Sequence, residues 1–382
     1  MEFKLSKSQK EIQKAARDFA KGEFDKDLAM ELEKAQMFPH EILEMAAELE
    51  FIGSHFDEKY GGGGMAVLDN SLLAEELCRK DPTFGSALMM GGYGAECLLR
   101  YGISELKDKY IPLVVDGKIL SGLALSETGT GTGISVTTTA TKDGDAWLIN
   151  GDKVRVINGG LAGFYCVLCR TNSEVDPVKG HSMILVEADR NGLSVDDKSD
   201  TVGLRMTAFA DVHFENVRVP HSNLIGKEGK GMKQALAVMN ESRVLMASLA
   251  LGIGQGALER TVDYVKQRVQ FGKKIAQFQA TQHKLADMAV KLEQARTLTY
   301  LAAWQCDQKK PDTKFMAMAK LSATRSALEA SHQAIQLYGG YGYCSEYEVE
   351  RCCRDAKTLQ IIGGNTGFLK DTVAGSVIGK IR

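Results

Sequence analysis

The chain of 382 residues has no basic surplus, its formal charge being -2. Proteins that hold nucleic-acid backbones carry such a surplus, so no phosphate-backbone partner is expected. An uninterrupted apolar run long enough to cross a bilayer is also missing, and with it any expected integral membrane segment. The opening residues, Met1-Glu-Phe-Lys-Leu5, hold no apolar signal core, and acidic residues come early, unlike a transit peptide; a cytoplasmic protein is expected. No repeat with a period of about 20–50 residues and no low-complexity tract breaks the sequence. Of eight cysteines, Cys166 and Cys169 form a lone CxxC inside the apolar run Phe164–Cys169. No second ligand pair follows at zinc-site spacing, so they read as buried strand cysteines in a reducing cytosol, as do Cys352 and Cys353.

Hydrophobic residues make up 44% and charged residues 25%, enough for a large core spread over two or three compact regions. The first third has helical periodicity. Ser8-Gln-Lys-Glu11 fits a capping box, and Ile12, Ala16 and Phe19 then share one face. Pro39 suits a first helical position before the stripe Ile42, Ala46, Leu49. Further helical patterns lie around Ser71–Arg79 and Phe84–Tyr101. From about Leu120 to Pro220 the period shortens, with strands expected at Val136–Ala140, Trp147–Ile149, Tyr165–Leu168, Met183–Val186, Asp211–Phe214 and Val217–Val219. Asp143-Gly-Asp145 and Asn150-Gly-Asp152 read as hairpin turns, which makes the region an antiparallel β domain. Long helices are then expected over Met232–Arg268, Gln279–Lys309 and Asp312–Tyr338, forming an up-down bundle. Gly252, Gly254 and Gly256 would permit close helix packing within it.

Several stretches have the composition of binding sites. Ser126-Glu-Thr-Gly-Thr-Gly-Thr-Gly133 alternates glycine with hydroxyl residues after a strand, so its amides could approach an anion or a ring edge closely. The same run is equally an ordinary glycine-rich surface turn. Lys153-Val-Arg-Val-Ile-Asn-Gly-Gly160 puts Arg155 on a strand, either exposed to solvent or able to stack on a planar ring or fix a carboxylate. Asn240-Glu-Ser-Arg243 opens the first long helix.

The stretch Lys266-Gln-Arg-Val-Gln-Phe-Gly-Lys-Lys-Ile-Ala-Gln-Phe-Gln-Ala-Thr-Gln282 resembles the acyl-CoA dehydrogenase segment that joins two long helices and holds FAD across a subunit interface. Gln336-Leu-Tyr-Gly-Gly340 and Arg354-Asp-Ala-Lys357 resemble the same family, and the likeness then covers the whole chain. It implies an α+β multidomain fold: an N-terminal α-helical domain (1–118), a central antiparallel β domain (119–226) and a C-terminal four-helix-bundle-type domain (227–382). It also implies a flavoprotein oxidoreductase with FAD as cofactor, an acyl-CoA or enoyl-CoA substrate, an electron-transfer flavoprotein as partner, and a homotetramer.

Carried residue by residue, the resemblance places Ser126, Thr128, Thr132, Arg155, Ile157 and Asn365 around the flavin. Arg268, Phe271 and Gln279 fall on its adenosine and pyrophosphate contacts, and Gln336, Gly339 and Gly340 on the platform for a neighbouring subunit's FAD. Thr132, Asn240, Arg243, Gly363 and Gly364 fall on the substrate. The flavin loop departs from the family's T-E-P-x-A-G-S-D at Thr128, Thr132 and Gly133. The strand departs from K-x-W-I-T-N-G at Arg155 and Ile157.

The largest departure is chemical. Where the family reads Y-E-G-T, with the glutamate as base, this chain reads Ile362-Gly-Gly-Asn365. Glycine neither takes nor gives a proton. Three explanations stay open. In the first, a base lies elsewhere, with Glu241, Tyr93 or Glu96 as candidates and an alicyclic or vinylogous acyl group as substrate. In the second, the chemistry needs no such base, as in a decarboxylation with Arg155 holding the carboxylate. In the third, activity is lost while FAD or CoA binding is kept. Glycines at 91, 92, 363 and 364 would leave room for a bulky acyl group.

Overall fold

A computed structural model describes residues 4–129, 136–176 and 179–379. Seven helices come first: α1 (Lys7–Glu23), α2 (Lys26–Ala35), α3 (His40–Glu48), α4 (Val67–Lys80), α5 (Pro82–Met90), α6 (Ala95–Tyr101) and α7 (Ser104–Val115). The capping box of α1 is formed by Ser6 and Gln9, two residues before the expected pair. Ser6-Lys-Ser-Gln9 satisfies the same spacing and leaves Ser8 inside the first turn. Pro39 precedes α3 as its N-cap and is not its first residue. The expected helix over Phe84–Tyr101 is two helices, broken at Gly91–Gly94. A Cβ on Gly94 would lie 2.3 Å from the Gly122 carbonyl oxygen, so only glycine lets this turn sit on the neighbouring strand. The sequence reading missed α7, which carries Pro112 in its interior.

Eight strands follow: β1 (Leu120–Ala124), β2 (Thr139–Asp143), β3 (Ala146–Ile157), β4 (Ala162–Arg170), β5 (His181–Glu187), β6 (Leu193–Val195), β7 (Phe209–Pro220) and β8 (Leu224–Ile225). They form one sheet in the order β6-β7-β3-β2-β4-β5-β8, with β1 beside β4. Pairing is antiparallel except for β1 with β4 and a single β2–β4 bridge, Thr139 to Arg170. Asp143-Gly-Asp145 is the β2–β3 turn. Asn150-Gly-Asp152 is not a turn: it lies within β3, where the register against β7 shifts between Ile149 and Gly151. Glycine marks bulges as readily as turns, and here the strand runs on. Likewise Asp211–Phe214 and Val217–Val219 belong to one strand, β7. Cys166 and Cys169 are buried on β4.

The chain then enters α8 (Gly231–Gln267), the short hairpin β9–β10 (Val269–Gln270, Lys273–Lys274), α9 (Gln279–Asp307), α10 (Thr313–Tyr338), α11 (Val349–Ile361) and α12 (Thr366–Ile378). At 37 residues, α8 is about 55 Å long. Its length and composition would suit a membrane span, but 67% of its most apolar window is buried in the protein. Its glycines explain the packing. A Cβ on Gly252 or Gly256 would meet the carbonyl oxygen of Glu75 or Arg79 at 2.2 or 2.3 Å, and one on Gly254 would meet Leu292 at 2.5 Å. The bundle helices α4, α8, α9 and α10 therefore approach nearly backbone to backbone.

Candidate active site

A cavity of about 570 Å³ opens where the sheet, the start of α8 and the α11–α12 turn meet. Ser126, Thr128, Arg155, Ile157, Gly363, Gly364, Asn365 and Tyr93 all line it, although they come from three separate parts of the chain. Leu125, Met232, Leu236, Met239, Ile362 and Phe368 supply apolar wall. Apolar walls with a few convergent polar groups are the usual make-up of a small-molecule site. Thr132 and Gly133 lie outside the described residues.

Each polar group is held by identifiable contacts. The loop at 126–129 is anchored by Glu127, whose carboxylate accepts from Thr137 N and Oγ1 at 2.6 Å, Thr138 N at 3.0 Å and Lys153 Nζ at 2.8 Å. Lys153 is fully buried. Burial alone would raise the Glu127 pKa; Lys153 and the hydroxyl and amide donors reverse this and bring it down to about 2. Burial pushes Lys153 down as well. Glu127 lines the cavity, yet it is too well satisfied to serve as a base. Arg155 sits at a bulge in β3 with φ of 51°, and its N–H donates to Asp211 Oδ1 at 2.7 Å. That contact fixes the backbone and leaves the side chain exposed at the cavity.

Tyr93 stands in the turn between α5 and α6. Asn158 pins this turn: its Nδ2 donates to the carbonyls of Met90 and Ser121, each at 3.0 Å. The Tyr93 hydroxyl lies 3.1 Å from Ser242 Oγ. Burial pushes the phenol above its ordinary range, so it keeps its proton at neutral pH. Behind Tyr93 is a smaller pocket of about 70 Å³ lined by His55, Glu96, Arg100, Glu241 and Ser242. Glu96 contacts His55 Nε2 at 2.5 Å, and Glu241 is ion-paired with Arg100. Neither carboxylate lines the large cavity. Gly91 and Gly92 do not enlarge that cavity either, contrary to expectation. A Cβ on them would meet Leu120 of β1 at 3.1 Å and Val114 of α7 at 3.3 Å, so they serve packing of this turn against its neighbours.

The floor at Gly363 and Gly364 is unusual in charge. Lys320, fully buried on α10, donates to the carbonyls of Ile362 and of Gly364, the latter at 2.7 Å. Burial and then the nearby Arg243 bring its pKa down to about 7. Arg243 is 1% exposed, packs its guanidinium 5.3 Å from the Phe368 ring centre, and finds no acceptor for Nε or Nη1 among the described residues. Burial lowers its pKa to about 10. Neither Lys320 nor the Glu127–Lys153 pair was read from the sequence. A lysine at the centre of the apolar stripe Met316, Ala319, Ala323, Ala327 was the available signal.

The remaining expected residues lie elsewhere. Asn240 is on α8 but does not line the cavity. Arg268, Phe271 and Gln279 flank the β9–β10 hairpin, and Gln336, Gly339 and Gly340 close α10. Arg268 stacks on Tyr341 at 5.3 Å, and Tyr264 on Tyr338 at 4.0 Å, so the two groups share one region. Phe271 is 93% exposed there. From Met239 to Arg268 the helical rise gives about 40 Å, so this region is far from the cavity of its own chain.

Comparison with known proteins identifies the family. The family descriptions "Acyl-CoA dehydrogenase, N-terminal domain", "middle domain" and "C-terminal domain" match residues 6–118, 122–217 and 229–378. Acryloyl-CoA reductase (NADH) of Anaerotignum propionicum is 35% identical over 99% of this chain and 96% of its own. Butyryl-CoA dehydrogenase of Megasphaera elsdenii superposes with a TM-score of 0.94 at 34% identity, covering 99% of this chain and 100% of its own. A chain from the structural work on the electron transferring flavoprotein of Acidaminococcus fermentans reaches a TM-score of 0.96 at 35% identity, with both chains fully covered. The protein therefore belongs to the acyl-CoA dehydrogenase family, and is an FAD flavoprotein oxidoreductase acting on CH–CH bonds.

Proposed function

We propose that the cavity takes the acyl end of a CoA thioester beside FAD. There the chain dehydrogenates the acyl group, or its vinylogous extension, or runs the reverse enoyl reduction, without a side chain at position 363. The observation that carries this reading is Gly363 itself, which lines the cavity and which the family resemblance sets where relatives carry their glutamate. The acids that line the cavity, Glu127 and Asp211, are engaged in holding the loop and the bulge.

When bound, FAD supplies two-electron redox chemistry. Ser126, Thr128, Arg155, Ile157 and Asn365 would hold its ring. Arg268, Phe271, Gln279, Gln336, Gly339 and Gly340 would serve the cofactor of another copy, because about 40 Å of helix separates them from their own cavity. That separation favours a homo-oligomer, and a tetramer by family likeness. Family likeness sets Asn240 toward the CoA moiety, whereas Arg243, which the same likeness would put there, is buried behind Gly364 at the cavity floor; an electron-transfer flavoprotein would exchange electrons with the site.

For the proton, Tyr93 is favoured over Glu241. Tyr93 lines the cavity and retains its hydroxyl proton, which suits a donor in the reductive direction. Glu241 is paired with Arg100 in the smaller pocket. An anaerobic absorbance titration tests the reading, using straight-chain, branched, alicyclic and dicarboxylic CoA thioesters. Bleaching of a flavin band near roughly 450 nm by one class is the expected result. Bound flavin that no acyl-CoA bleaches, and that no enoyl-CoA reoxidises once reduced, would refute it.

A further inference from the structure

We infer that the cavity floor at Gly363–Gly364 is a subsite for a carboxylate, carried on the far end of the CoA-linked acyl chain or present as a small free acid. The inference rests on the reading of the cavity as an acyl site. Two buried basic side chains, Lys320 and Arg243, stand directly behind this floor. A Cβ built on Gly363 lies 3.5 Å from Lys320 Nζ, and one built on Gly364 lies 4.0 Å from Arg243 Nη2. Among the described residues neither cation is ion-paired with a carboxylate: Lys320 meets carbonyl oxygens, and Arg243 Nε and Nη1 meet no acceptor.

A buried cation without a counter-charge is a costly arrangement. The floor adds a third positive feature, the start of α12. Asn365 Oδ1 accepts one of its free amides, from Phe368 at 3.0 Å, and the helix dipole favours an anion at that end. The glycines matter because a side chain at 363 or 364 would occupy the space an incoming group could use. Nothing but Met246 Cγ, at 3.4 Å, and Lys320 Nζ comes within 4 Å of the Gly363 Cβ position. The wall around the floor is hydrocarbon: Ile362, Met239 and Phe368. An acid at the tip of an alkyl chain matches that pattern, and it is ionised at neutral pH.

The test uses purified holoprotein and two probes. The first is sodium acetate against sodium chloride at matched ionic strength, read as the thermal midpoint, a measurement that needs neither flavin nor turnover. The second is the CoA thioester of a five-carbon diacid against that of the five-carbon monoacid, read as the apparent Kd from the flavin spectrum. We expect the diacid thioester to bind at least tenfold tighter, and the preference to collapse in Gly363→Glu, which brings its own carboxylate, and in Lys320→Met. A midpoint raised by acetate without a diacid preference assigns the subsite to a free acid. Equal behaviour of acetate and chloride together with equal binding of the two thioesters overturns the inference. So does a diacid preference or acetate effect that Gly363→Glu leaves unchanged, even if Lys320→Met fails to fold. A protein without a flavin band would count against the proposed function, while the acetate measurement would still decide the subsite.

Discussion

Replacing Lys153 by methionine should expose how much of the flavin-side wall depends on one buried ion pair. The substitution keeps the aliphatic stem and removes the ammonium that meets Glu127 at 2.8 Å. Glu127 would remain 6% exposed, keeping the Thr137 and Thr138 donors and losing the Lys153 ammonium. Its pKa of about 2, against an ordinary 4.5, corresponds to about 3 kcal/mol of stability at neutral pH. The lowered pKa of Lys153 points the other way, since burial opposes its charge. Glu127 decides the sign because it collects four donors among the described residues, two from Thr137 and one each from Thr138 and Lys153. Breaking a buried pair from one side costs about 3–5 kcal/mol, so a fall in the holoprotein midpoint of roughly 4–6 °C is expected for a chain of this length. Because the folded pKa is depressed, this stability is fully present above about pH 4.5 and lost as pH falls toward 2. Glu127→Gln in the same chain should restore more than half of the loss, because the carboxylate charge that Lys153 offsets is then removed as well. Scanning calorimetry of the holoproteins at several pH values, with flavin content measured alongside, checks this. A single-variant fall below about 2 °C, or a double variant no better than the single, would refute the reasoning.

Other outcomes follow from the same contacts. Gly252→Val should cost about 3 kcal/mol or more by driving α4 from α8, whereas Gly375→Ala, with open space around it on α12, should gain about 0.5–1 kcal/mol; paired thermal midpoints decide both. Gly363→Glu should fold despite a φ of +65°, at a strain of about 1–2 kcal/mol, because no atom crowds its Cβ. In the parent chain the depressed pKa of Lys320 makes stability rise with pH between about 7 and 10.5, and the new carboxylate should flatten that rise. Urea midpoints across this range measure the slope.

The long bundle helices were legible to within a residue or two, because Ala- and Leu-rich stripes repeat at helical spacing over many turns. The sheet was less so. Gly151 and the gap at Glu215-Asn216 between two expected strands look like breaks in a sequence, yet β3 and β7 each run on past them through a register shift. Pro112 hid α7 in the same way. At the site, the loop, strand and glycine turn could be gathered by family likeness, but the charge pattern could not. Glu127 meets Lys153 across 26 positions, and Lys320 reaches carbonyls more than 40 residues away. Such pairings depend on where the elements pack, which no local period encodes.

The length of α8 has a genetic consequence. One rigid rod carries part of its own chain's cavity at one end and ends, at the other, beside the exposed region around Phe271 and Tyr341. On the proposed assembly, damage at either end falls on a different active site. A chain impaired near Gly363 and a chain impaired near Arg268, expressed together, would restore some intact sites by complementation. A single defective allele would in turn lower the output of normal chains that assemble with it.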